Sequence, residues 1–223
     1  MEKIKGFLFA ALAMVMATLS SCNNGSGPGE PERPHYTMFA TLLSFGSGAC
    51  SLEVQEGPDT PRAILTANVT INGTPEAIGK RFLIYFTKDD DQPYVSGPIN
   101  LLSMVEVING KASIANMQEI TNVTMDMNNM AYMSLTGKWL NLQMIANLAS
   151  YPRTFGVYVD QSTLDKEYPQ VYVGFVSDNN GSSYQYIVYG SFDLSPVLEM
   201  PDVCGFDLHY FNNGGKKTQR FEL

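Results

Sequence analysis

Residues 63–71 read AILTANVTI, with Ala63, Leu65, Ala67, Val69 and Ile71 on one parity and Thr66, Asn68 and Thr70 on the other. Successive side chains of a strand point to opposite faces, so this alternation predicts a strand with one face buried and one wet. Working outward, strands are expected at Tyr36–Phe45, Ala49–Val54, Arg81–Lys88 and Leu101–Ile108. Gly46-Ser47-Gly48, Gly57-Pro58-Asp59 and Asn72-Gly73 punctuate them as turns. Phe82 to Phe86 is an unbroken apolar run, which predicts a strand covered on both faces. Five short strands over this half are compatible with a small barrel.

The second half has the same style at different spacing. Strands are expected at Tyr132–Leu135, Trp139–Ile145, Thr154–Val159, Val171–Val176, Tyr184–Phe192, Val203–Phe211 and Thr218–Leu223. Asp178–Gly181 and Asn212–Gly215 read as hairpin connections, because Asn-Gly supplies the positive φ such turns need. No helical stripe exceeds two turns. The pattern predicts an all-β protein whose second half is an antiparallel β-sandwich.

The N-terminus differs from everything after it. Lys3 and Lys5 precede an apolar stretch from Phe7 to Leu19, and Ser20-Ser21-Cys22 follow. Thirteen residues are too few to span a bilayer core, which takes about 20 in a helix. Residues 1–21 are therefore expected to be a removable signal peptide. Leu19-Ser20-Ser21-Cys22 resembles the lipobox of bacterial lipoproteins, with Cys22 as the lipid attachment site; the alternative is an ordinary cleaved signal with a chance cysteine. Residues 22–34 are rich in Gly, Pro, Asn and Ser, a lipidated flexible linker. Asn23 is not the aspartate that retains some lipoproteins at the inner membrane, which points to the outer membrane.

The chain carries 14 basic and 22 acidic residues, net −8, and the acidic excess persists when the signal is set aside. Residues 36–110 hold only Arg62, Lys80, Arg81 and Lys88 as cations. Nucleic-acid binding leans on lysine and arginine contacts to phosphate, so no nucleic-acid partner is expected. Cys50 alternates in step with Leu52 and Val54, and Cys204 with Phe206, Leu208 and Tyr210. Both are expected as buried thiols, with a bridge between the two halves as the alternative.

Three segments carry a family resemblance: GKRFLIYFT at residues 79–87, GKWLNLQ at 137–143 and GSFDLS at 190–195. In order and approximate spacing they resemble GQRVLVYYT, GNYLNLQ and VSFDLS of the NigD-like lipoproteins of Bacteroides and relatives. The resemblance implies an N-terminal OB-like barrel over residues 35–124 and a C-terminal β-sandwich over 125–223. An OB fold usually places a helix between its third and fourth strands, and residues 72–79 leave room for one turn at most. The family name, from a bacteriocin gene cluster, implies an immunity or regulatory factor as an alternative function. No catalytic residue carries over.

Candidate chemistry is sparse. Histidine occurs only as His35 and His209; His209 is expected to face solvent, opposite in parity to Leu208, and no Gly-x-Ser-x-Gly elbow exists to partner it. Asp89-Asp90-Asp91 lacks the alternation and terminal Glu of a calcium loop and reads as a solvated turn. Met125, Met127, Met130 and Met133 have the thioether chemistry to hold Cu(I), against a packing role. The expectation is a non-enzymatic outer-membrane lipoprotein without cofactor. It would touch the membrane through its anchor and bind a protein or glycan partner.

Overall fold

The computed structural model describes residues 33–123, 128–147, 154–176, 185–212 and 215–223. The expected signal peptide, Cys22, most of the linker and the 178–181 turn lie outside the described residues. No helix among those described is long and apolar enough to cross a membrane.

β1 (His35–Gly46), β2 (Ala49–Val54), β3 (Ala63–Ala67), β4 (Arg81–Thr87) and β5 (Gly97–Glu106) close into a barrel in the order β1-β2-β3-β5-β4. Every pairing is antiparallel except β3 with β5. This is the OB arrangement, and the usual helix between β3 and β4 shrinks to a single 3-10 turn at Pro75–Ala77. Leu42, Leu52, Leu65, Ile84 and Phe86 fill the interior with no exposed surface. The ladder slips by one residue after Leu42, leaving Leu43 as an outward bulge that bends β1 around the closure. β3 is shorter than its alternation predicts: it ends at Ala67, and Val69 and Ile71 pack on the core from irregular chain. β4 is not covered on both faces throughout. Arg81 at its start is buried, whereas Tyr85 is open to solvent, because the second half of the molecule covers only one end of the strand.

Two sheets form the remainder. β8 (Asn128–Thr136), β9 (Trp139–Asn147) and β12 (Gln185–Asp193) pair antiparallel, and β6 (Ile108–Lys111) adds to β12 in parallel. The other sheet runs β14 (Gly215–Glu222), β13 (Gly205–Asn212), β11 (Gln170–Val176), β10 (Thr154–Asp160) and β7 (Ser113–Ala115). Their inner faces share one core of Leu140, Leu142, Phe192, Val159, Val171, Phe206 and others. The sandwich is mixed rather than antiparallel: β6–β12, β7–β10 and β11–β13 are parallel. The last follows from the path of the chain, which leaves β11 for the opposite sheet, forms β12, turns through the short helix α2 (Ser195–Leu198) and returns.

Residues 108–115 lie inside the span expected to be barrel, yet they hydrogen-bond into both sandwich sheets. Ala112 crosses between them, buried in the sandwich core with its N–H donated to the Asp193 carbonyl at 2.9 Å. Helix α1 (Met117–Val123) then starts with a capping box: Asn116 Oδ1 accepts the Glu119 N–H at 3.0 Å and Glu119 Oε2 accepts the Asn116 N–H at 3.1 Å.

Candidate functional site

The guanidinium of Arg81 is nearly inaccessible, at 3% exposure, in the seam between barrel and sandwich. Nε donates to Ser191 Oγ at 3.2 Å, Nη1 to Thr41 Oγ1 at 3.2 Å, and Nη2 to Asn141 Oδ1 at 3.2 Å and Thr136 Oγ1 at 3.3 Å. The Arg81 backbone exchanges two hydrogen bonds with the side chain of Asn109 on β6, and its Cζ stands 5.5 Å from the centre of the Trp139 ring. All side-chain acceptors are neutral. Burial lowers the Arg81 pKa to about 10, opposed by the charge of Glu53. Arg81, Asn141 and Ser191 come one each from the three segments that carry the family resemblance. Beside them Lys138 pairs with Asp193 at 2.7 Å, and the Leu194 N–H reaches the Lys138 carbonyl at 2.8 Å. These segments therefore encode the joint between the two halves. A second strut is the β8–β9 turn, where Gly137 (φ 56°) donates its N–H to the Gly57 carbonyl at 3.2 Å.

The acidic triplet is built around a buried cation. Lys88 is 3% exposed; its ammonium reaches both Asp90 oxygens at 2.8 and 3.0 Å and the carbonyls of Gln92 and Val95 at 2.8 and 3.0 Å. The hydrogen bond from Lys88 is the leading cause of the lowered Asp90 pKa. Asp89 pairs with Arg33 at 3.1 Å. The turn is thus an internal salt-bridge device, and no cluster of metal-ligating side chains occurs among the described residues.

Met130 and Met133 point inward from β8 to the sandwich core. A bulge at Ala131 makes this possible by putting both on the buried face despite their odd spacing. Met125 and Met127 lie outside the described residues. Cys50 is buried in the barrel, but Cys204 is exposed, because it stands one residue before β13 begins and the parity of that strand does not reach it. Both thiols are free. Burial raises the Cys50 pKa, and a hydrogen bond that the Cys204 thiol donates to the Glu167 carboxylate leads in raising that of Cys204.

A groove of ≈ 270 Å³ opens on the outer face of the five-stranded sheet. Met117, Ile120 and Thr121 of α1 form one wall; Tyr172, His209, Tyr210, Phe211 and Lys216 form the floor and the opposite wall. Cross-strand register aligns Tyr172, His209 and Thr218 in one row and pairs Phe211 with Lys216 near it. His209 is half-buried rather than solvent-facing and stacks on Tyr172 at 4.5 Å and 18°. The Gln170 amide nitrogen donates to the Tyr168 carbonyl and to Asp207, which leaves Gln170 Oε1 to accept from His209 Nε2 at 2.6 Å. Nδ1 then accepts the Thr218 hydroxyl at 2.9 Å. Burial lowers the His209 pKa, and Asp207 opposes that shift only in part. Asp207 is held in turn by Arg220 at 2.8 and 3.0 Å, and Arg220 lies 3.9 Å over the Tyr168 ring. The result is a largely apolar trough edged by Lys216, which forms no ion pair among the described residues and stands 5.9 Å above the Phe211 ring. Sequence parity placed His209 on this face but gave no sign of α1, the element that turns a flat sheet into a trough.

No family model matches the chain, and no curated protein does either. Solved structures do match. A Bacteroides vulgatus protein of unknown function, DUF1344, aligns at TM-score 0.65 and 16% identity over 85% of this chain and 91% of that one. A NigD-like immunity protein from Bacteroides caccae aligns at 0.58 and 12%, over 84% and 96%. A Bacteroides fragilis protein assigned as a lipoprotein aligns at 0.58 and 12%, over 85% and 98%. At such identities the likeness is one of fold, and it spans nearly the whole length of each neighbour. The chain has the barrel-and-sandwich fold of the NigD-like proteins and their Bacteroides relatives.

Proposed function

We propose that this chain is a non-enzymatic binding or accessory module of the bacterial outer membrane, tethered through Cys22, and that the groove beside α1 receives a protein or glycan partner. The observation that carries this reading is the groove: an apolar, aromatic trough with pre-ordered polar edges is the usual form of a recognition site. The state of His209 argues for binding over catalysis. Its partner on the Nε2 side is an amide, which holds the ring in place but does not stabilise an imidazolium as a carboxylate would, and burial weakens it as a base. The lipobox-like Leu19–Cys22 and the lipoprotein assignment of one structural neighbour support the envelope location.

Pull-down from envelope extracts and a glycan array, each run with wild type, Met117→Arg and Tyr172→Ala, test the reading. A ligand captured by wild type and lost with both variants is expected. Capture unaffected by either variant, or none in both formats, overturns the groove as the site. An immunity role is favoured by one observation, the fold shared with the B. caccae NigD-like immunity protein. Deletion of the gene with unchanged bacteriocin sensitivity removes it.

A further inference from the structure

β14 closes the five-stranded sheet and pairs with β13 alone among the described residues, over its full length and without a register shift. Its other side is a row of backbone N–H and C=O groups with no partner strand among the described residues. Natural edges of this kind are shortened, bulged, broken by proline or guarded by charged side chains, lysine above all. β14, GKKTQRFE, is long and regular and carries only the last of these, which deters uncharged and basic strands but not acidic ones. It differs from the rest of the molecule in charge. Lys216, Lys217 and Arg220 stand against a single acid, Glu222, in a chain of net charge −8. Arg220 is neutralised by Asp207, whereas Lys216 and Lys217 form no ion pair with a described residue. A long, regular edge whose free charges are positive, on an acidic body, is complementary to an acidic extended segment.

A second copy of this chain is a poorer occupant than an acidic strand. Antiparallel pairing of two β14 strands centred on Thr218 would set Lys216 against Arg220, and centring on Lys217 would set that lysine against itself; like charges directly opposite destabilise a strand pair. Centring on Gln219 sets Lys216 against Glu222 but leaves Lys217 facing Phe221 and Arg220 facing Thr218. A strand bearing several Asp or Glu can meet all three cations. Main-chain pairing supplies the contact and alternate side chains the selectivity, as in strand addition generally.

We propose that β14 is a docking edge at which an acidic, extended segment of a protein partner adds as a sixth strand. This names the protein branch of the binding reading and rests on a β14 edge that meets the groove only at Lys216. The exchange protection, on β14 or around Ile120 and Tyr172, tells the failure of one from the failure of the other.

The test uses the full chain and a synthetic peptide of β14's length that alternates glutamate with valine, beside its lysine counterpart. The glutamate peptide should bind, protect β14 amides from hydrogen exchange and weaken as salt is raised. Affinity should fall about fivefold or more in Lys216→Glu/Lys217→Glu, in part already in Lys217→Glu, which leaves the groove lining intact, and less in Lys216→Gln/Lys217→Gln. Equal binding of the two peptides, indifference to charge reversal in a variant with unchanged melting, or no binding at all overturns the proposal. Protection around Ile120 and Tyr172 without β14 overturns it while leaving the groove reading in place. Concentration-dependent self-association that protects β14 overturns it in favour of a second copy.

Discussion

Arg81 donates to four neutral acceptors drawn from β1, β8, β9 and β12, so its removal strands several buried polar groups at once. Leaving buried partners unsatisfied costs about 1–3 kcal/mol, and more where a charge was involved. Arg81→Met should therefore destabilise the protein by about 2–4 kcal/mol in urea unfolding. Arg81→Lys should recover little, because a point ammonium cannot reproduce the planar fork. His209 makes a different prediction. Its folded pKa lies below the ordinary imidazole value of 6.5, so below that pH the unfolded chain takes up a proton more readily than the folded one. Stability is full above pH 6.5 and declines as pH falls through that value. Asp207, whose pKa is also lowered, principally by Arg220, adds a second decline below 3.8. Melting temperature followed against pH should show both steps, and His209→Gln should lose the first. At this scale the sequence was a partial guide. The segment around Arg81 stood out, but its partners are 40 to 110 positions away and none is a carboxylate, so no charge pattern betrayed the network. Cys204 misled because its apparent parity belongs to a strand that it precedes.

Among the elements, the long strands were legible because an alternating face is a direct record of burial: β2 begins and ends where its pattern does. β6 and β7 were not. They are short, β6 contains Gly110, and each joins its sheet as a parallel edge through contacts far along the chain. Gly174 illustrates an element-level constraint that no periodicity records. A Cβ there would sit 2.5 Å from the Tyr158 ring and 3.0 Å from Val123 at the end of α1. Gly174→Val should cost about 1–3 kcal/mol by overpacking. It should also loosen α1 from β11, seen as faster exchange of the α1 amides, and change the groove wall while the barrel keeps its protection.

For the molecule as a whole, the barrel and sandwich share the Arg81 network, the Gly57–Gly137 contact and the Phe39–Tyr189 ring contact at 6.4 Å. Residues 33–223 form one compact unit. Calorimetry should show a single transition for wild type, and a broadened or split one for Arg81→Met as the two halves uncouple. The resemblance anticipated the two halves but placed their border at 124, whereas the covalent path and the hydrogen bonds disagree about where the barrel ends. Ala112 is the point of that disagreement. The strands on either side of it are made early in synthesis, yet they are claimed by partners that appear only with β10 and β12. A recombination event that moved residues 125–223 into another protein would leave two sheets each missing an edge, and one that moved the barrel would carry off strands it cannot use. Neither half of this fold can therefore be transplanted whole by a cut at residue 124.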